Sequence, residues 1–276
     1  MQIESMERSE RITKQGDLLI GCCVDIEDYS KAAAAGFDYV ELKGSLLSQL
    51  DDDEYLRWRA IVESGPIPCL GLNASIVPEV KICGPAFSQE KIRRYGDQLC
   101  SRAAGLGVRW IGIGSPASRD YTEGDDLEGA WGQAEEFLRI LCASARAYEI
   151  RILWEPVNPG ESTFGYESRE SAGHVALLRE QGESNLGMVC DLYHVIYKRE
   201  NCDVIREIAP LTEHVHLASV TDQRRGFVSE RDIPLLGEML KTLYASGCRT
   251  FSSEAFSGDI LRDGTACVSL LRALLK

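Results

Sequence analysis

The chain has 276 residues, 43 acidic against 30 basic side chains, a formal net charge of −13 and 44% hydrophobic residues. The length fits one α/β barrel of about 250 residues, and the acidic balance leaves no basic stripe for a nucleic-acid partner. Nowhere does an apolar run approach the roughly 20 residues of a membrane span, which excludes a membrane partner of that kind.

Residues 1–16 form a polar, charged leader that reads as neither export signal nor anchor. The ten cysteines are scattered and contain no CxxC pair. They read as small buried hydrophobes in a reducing compartment, so the expected location is cytoplasmic. The first strand is Leu18 to Asp25, followed by a helix over Ile26 to Ala35 that Gly36 closes. Tyr39 to Lys43 is the second strand and Asp53 to Glu63 its helix; Pro66 and Pro68 lead into the third strand, Cys69 to Asn73. Ala74 to Phe87, with two Pro, a Gly and little periodicity, reads as a long loop over the strand ends. A helix over Gln89 to Leu106 stops at Gly107, and Arg109 to Gly114 is strand four. A polar loop, Ser115 to Asp125, then precedes a long amphipathic helix from Leu127 to Tyr148.

Four more apolar runs complete the count at eight, and each ends in a potential metal ligand. They are Arg151 to Glu155, Leu186 to Asp191, Glu213 to His216 and Arg249 to Glu254. Helices are expected near Ser168 to Gln181, Val204 to Ile208, Asp232 to Ser246 and Val268 to Lys276. Strands alternating with helices imply a parallel sheet. No GxGxxG opens a helix after strand one, and no linker interrupts the chain, so the expectation is a single-domain (β/α)8 TIM barrel over 1–276. Taken singly, a Glu or Asp at a strand end is ordinarily a solvated rim residue. His216, two residues after His214 on one face, would alone be a hydrogen-bonded core histidine. Together, the ends of strands five to eight share one barrel mouth, where Glu155, Asp191, His216 and Glu254 would surround one point. Three carboxylates and one imidazole suit a divalent ion such as Mn²⁺ or Mg²⁺. Lys43 and Asn73 also sit at strand ends and are candidate substrate contacts, the alternative for Lys43 being a salt bridge inside the mouth. Trp110 and Trp154 read as core, and His174 as a surface residue of a helix.

Glu155-Pro-Val-Asn-Pro-Gly-Glu161, Asp191-Leu-Tyr-His194, His214-Val-His216 and Ser253-Glu254-Ala-Phe256 resemble the motifs of the xylose isomerase-like TIM-barrel superfamily, and within it the ketose 3-epimerases. The resemblance covers nearly the whole chain in layout, with its specific motifs from Glu155 onward. It implies that Glu155, Asp191, His216 and Glu254 are metal ligands and that Glu155 and Glu254 are also the catalytic acid/base pair. Glu161 and His194 would hydrogen-bond a sugar near its carbonyl end, with Asn158 in the same motif. Mn²⁺ is the implied ion, with Mg²⁺ or Co²⁺ as alternatives. The implied substrate is a small sugar or keto-polyol, and barrels of this kind often pair as homo-oligomers. A divalent ion chelated by a carbonyl and its neighbouring hydroxyl stabilises a developing enediolate. Carboxylates from strands three steps apart around the ring can then remove and return the proton on opposite faces.

One motif departs from the epimerases, which follow the ligating His with a Glu and then a substrate-gripping Arg. Here Leu217-Ala-Ser-Val-Thr-Asp222 stands instead, and Arg224 or Arg225 would have to reach that place by another loop path. The ligand set leaves dehydratase and C-glycoside lyase reactions open, because they begin with the same proton abstraction. A non-catalytic metal-stabilised subunit is the reading from another class. A zinc-cluster nuclease needs more histidines than the four present. A site charge near −1 and no obvious phosphate cradle favour a neutral substrate, although Arg224 and Arg225 keep a phosphorylated one open.

Overall fold

The computed structural model describes residues 16–222, 224–256 and 258–275; the polar leader, apart from its last residue, lies outside them. Eight short, largely buried strands pair side by side in sequence order and close into a parallel barrel. They are β1 (Leu19–Cys23), β2 (Tyr39–Lys43), β3 (Cys69–Asn73), β4 (Trp110–Ile113), β5 (Arg151–Trp154), β6 (Leu186–Asp191), β7 (Thr212–Leu217) and β8 (Thr250–Ser253). Closure runs through β1 and β8, with Leu19 opposite Thr250 and Cys22 opposite Ser253. This is the expected (β/α)8 TIM barrel.

The main outer helices stand where hydrophobic periodicity places them. Counting every α-helix in chain order gives α1 (Tyr29–Ala34), α2 (Gly44–Gln49), α3 (Asp52–Ser64), α4 (Gln89–Gly105), α5 (Leu127–Arg146), α6 (Ser168–Glu180), α7 (Leu192–Tyr197), α8 (Cys202–Ile208), α9 (Ile233–Ala245) and α10 (Thr265–Leu275). Local chemistry starts them: Asp51 and Glu54 form a capping box on α3, and Asp126 caps α5 through the Gly129 amide. The short α2 and α7 are additions to the sequence reading. Each springs directly from a strand end and, at six residues, is too short to show a period. The helix expected over 26–35 is split into a 3-10 turn, Ile26–Asp28, and α1. The long loop 74–87 is a loop, but not an open one. Ile76, Val77, Val80 and Ile82 are buried, and Ile82 N–H donates to Ser118 O at 2.8 Å.

The pleat sorts side chains into two cores. Leu19, Tyr39, Leu70, Trp110, Leu153 and Val189 fill the barrel interior, while a larger cluster lies between sheet and helices. Tyr39 and Trp110 meet edge to face, with ring centroids 5.5 Å apart. Trp154 points outward onto Trp131, at 5.9 Å. The Tyr39 ring fits only because β1 carries a glycine: a Cβ on Gly21 would lie 2.2 Å from that ring and 2.7 Å from Ser252 Oγ. Gly21→Ala should therefore cost about 1–3 kcal/mol by overpacking, read as a lower midpoint in chemical denaturation. An unchanged midpoint would show that the interior has slack there.

Candidate metal centre

The interior layer fixes what stands above it. Leu153 and Val189 face into the barrel, so Glu155 and Asp191, two residues further along, face inward as well. The same step carries His214 to His216 on β7 and Ser252 to Glu254 at the end of β8. Pairing anchors these tips to the sheet: Asp191 pairs with His216, Glu155 N–H donates to Ile113 O, and Glu254 N–H donates to Leu217 O. Gly114 leaves the space that Glu155 occupies, since a Cβ there would sit 2.5 Å from Glu155 Oε2.

The four expected ligands fall into two groups that share Glu155. One ligand atom each from Glu155, His216 and Glu254 lies within 4.8 Å of the others, and Glu155, Asp191 and His194 form a second such group. His216 Nδ1 stands 3.0 Å from Glu155 Oε1. Asn158 Nδ2 donates to Glu161 Oε1 at 2.9 Å and lies 2.8 Å from His194 Nδ1, while His194 Nε2 is 3.3 Å from Asp191 Oδ2. Glu161, Asn158 and His194 thus form a chain that ends on Asp191. Buried Asn158 acts by orienting its two neighbours.

The arginine turned into the mouth is Arg225, not Arg224. Arg224 is exposed and pairs with Asp222 at 3.5 Å. Arg225 takes a left-handed backbone, φ 50°, which turns its side chain inward. There Nη2 donates to Asp191 Oδ2 at 3.1 Å and to Glu254 Oε2 at 2.7 Å, and Nη1 to Glu161 Oε1 at 3.4 Å. The guanidinium lies between the Tyr193 and Phe256 rings, 4.2 and 4.4 Å from their centroids. The loop that delivers it is anchored by buried Asp232. Its carboxylate accepts from the Val220, Thr221 and Ser229 amides and from the Ser219, Thr221 and Ser229 hydroxyls, at 2.8–3.0 Å. Lys43 and Asn73 stand opposite each other at the ends of β2 and β3. Among the described residues, neither side chain hydrogen-bonds to Glu155, Asp191, His216 or Glu254.

Glu41 carries no motif, and it lies fully buried below the mouth. Its Oε1 is 2.7 Å from His214 Nε2, and its Oε2 is 3.4 Å from His216 Nε2 and accepts from Trp110 Nε1 at 3.2 Å. The sequence signal was an acid inside an apolar strand between Tyr39 and Lys43. A second buried cation, Arg119, donates from its two Nη atoms to the carbonyls of Ile113, Glu155, Phe164 and Gly165 and so ties strands to loops.

Burial and charge set the protonation of this cluster. Burial, reinforced by Glu155 and Asp191, raises Glu254 to about 8, against the pull of His216 and Arg225. Burial would also raise Asp191, but His194 and Arg225 outweigh it and leave the carboxyl below its ordinary value. For Glu41 the same opposition is won by His214 and His216, which hold it well below the usual range. Burial would lower His216, yet Glu155 and Glu41 on its two sides raise it well above an ordinary histidine.

A divalent ion fits this chemistry. Glu155, Asp191, His216 and Glu254 are hard oxygen and nitrogen donors, and the guanidinium already bridging Asp191 and Glu254 shows that this pair accepts a cation. Ion uptake at Glu254 must displace a proton below about pH 8. Apparent affinity for Mn²⁺ should therefore climb as pH rises toward that value, with proton release seen by calorimetry in buffers of different ionisation enthalpy. Uptake without proton release would remove Glu254 from the ligand set.

The sequence matches the model of the xylose isomerase-like TIM barrel family over residues 29–266. No curated protein matches it in sequence. Among solved structures, D-psicose 3-epimerase from Clostridium cellulolyticum H10 superposes with a TM-score of 0.78 at 18% identity, covering 94% of this chain and 100% of that one. The E. coli 3-keto-D-glucoside 4-epimerase YcjR gives 0.75 at 16%, covering 93% and 100%. The IOLI protein, whose structure holds a zinc atom, gives 0.68 at 16%, covering 94% and 98%. At these identities the likeness establishes the fold.

Proposed function

The chain belongs to the xylose isomerase-like TIM-barrel family, and from that premise we propose that it is a divalent-metal-dependent sugar epimerase or isomerase, inverting C3 of a free ketose. The observation that carries this reading is the convergence of Glu155 and Glu254, from strands three steps apart around the ring, beside His216. Glu155, Asp191, His216 and Glu254 would hold the ion, Mn²⁺ before Mg²⁺ or Co²⁺, and a bound ion supplies Lewis acidity toward a carbonyl and its neighbouring hydroxyl.

The side chains do the rest. Glu155 and Glu254 exchange protons with the carbon beside the carbonyl, one removing and the other returning, which inverts the centre when they act on opposite faces. Glu161 and His194, held by Asn158, present hydrogen-bonding groups next to the ligand Asp191. Arg225 takes the part of the gripping arginine that the sequence lacks at position 222. Its buried Nε has no acceptor among the described residues and remains able to bind a substrate oxygen. The names of two structural neighbours support the chemistry: in a 3-epimerase of a 2-ketose and a 4-epimerase of a 3-keto glucoside, the inverted carbon adjoins the carbonyl.

The test is incubation of the Mn²⁺-loaded protein in D₂O with free ketoses, an inosose, 3-dehydroshikimate and a 3-keto glucoside. Deuterium at C3 of a ketose together with its epimer is the expected result; loss of water or of an aglycone would replace the reaction while keeping the site. Glu155→Gln and Glu254→Gln should each lower turnover about 10²–10⁴-fold with the fold retained by circular dichroism. Undiminished turnover in both variants would overturn the assignment. Arg225→Ala is expected to raise KM more than it lowers kcat, since it removes binding rather than proton transfer.

A further inference from the structure

A carboxylate that is 0% exposed in the middle of a barrel needs a reason, because burying a charge is costly unless partners compensate it. Glu41 is compensated completely. It engages His214 through one oxygen, and His216 and the Trp110 indole through the other. None of these partners is solvent, and His214 itself is held by Thr250 Oγ1 at 2.9 Å from its other ring nitrogen.

Geometry gives the two nitrogens of His216 different duties. Nδ1 faces the mouth, 3.0 Å from Glu155 Oε1, and Nε2 faces down the barrel to Glu41 Oε2 at 3.4 Å, with Cys23 Sγ 3.9 Å away. A ligating histidine that gives its second N–H to a carboxylate has its tautomer and ring plane fixed, and its ligating nitrogen is made more basic. We propose that Glu41 is a positioning residue for the metal centre: it holds the proton of His216 on Nε2 and so reserves Nδ1 as the ligating atom. His214 and Trp110 are the struts that keep Glu41 at that height. His214 lies against Trp110, tilted by 35° with centroids 4.8 Å apart, and stands perpendicular to His216 at 4.9 Å. The inference rests on the metal reading and deepens it.

Glu41→Gln tests it with shape preserved. A glutamine amide can donate to His216 Nε2 and favour the tautomer with its proton on Nδ1, which cannot ligate. Affinity for Mn²⁺ or Zn²⁺, measured by titration with the metal alone, should fall about 10- to 100-fold. A second measurement uses the unaltered chain. In the zinc-loaded, ¹⁵N-histidine-labelled protein, the His216 resonances should show zinc on Nδ1 and a proton on Nε2. Zinc on Nε2, or a folded Glu41→Gln variant with wild-type affinity, overturns the inference while leaving the metal centre intact. Failure of the wild-type chain to take up either ion would remove the metal reading and this inference with it.

Discussion

In a closed parallel sheet, alternate side chains face the barrel interior, and successive inward residues on one strand stand about 6–7 Å apart. A functional group can therefore reach the mouth only at the last inward position of its strand. On their own strands, Leu153, Val189, His214 and Ser252 stand two residues before Glu155, Asp191, His216 and Glu254. Shifting any of these strands by one residue would send its terminal carboxylate or imidazole into the outer core, among Trp154, Phe137 and their neighbours. The Tyr39–Trp110 packing against Gly21 and Gly71 fills the interior beneath that mouth.

That constraint also explains which parts of the molecule the sequence reveals. Strands five to eight are legible because each is a short apolar run that ends in an ionisable residue, and both features survive without knowledge of neighbours. Glu41 was harder to see. It lies within a strand rather than at its end, and its partners, His214 and His216, are 173 and 175 residues away. The choice between Arg224 and Arg225 was closed to pattern reasoning because it depends on one backbone angle and on a loop tied to Asp232. The short helices α2 and α7 escaped for a different reason: six residues carry less than two turns of periodicity.

Two buried arginines show how the same residue type serves two ends. Arg119 makes four contacts to carbonyl oxygens and lies 4.2 Å from the Trp154 ring, and burial lowers it to about 10. Its partners are neutral backbone dipoles, so it works as a cross-brace between β4, β5 and the loop at 164–165. Arg225 makes its contacts to carboxylates of the mouth instead. The difference follows from the elements that carry them: Arg119 follows a 3-10 turn joined to the buried loop 74–87, Arg225 a polar turn.

The mouth gathers more negative charge than a low-dielectric interior tolerates. Asp191, Glu155 and Glu254 crowd one another while Glu41 lies just beneath. Three devices answer this crowding. Glu254 holds its proton to about pH 8, Arg225 spans Asp191 and Glu254, and His216 is drawn toward its charged form between Glu155 and Glu41. A divalent cation among the same four side chains would do the work of all three, releasing the Glu254 proton and freeing the guanidinium for a substrate oxygen. Glu41 would remain as it is, because its partners lie below the ligands. The deep carboxylate thus belongs to the permanent frame, and the carboxylates above it are the ones a bound cation would re-partner.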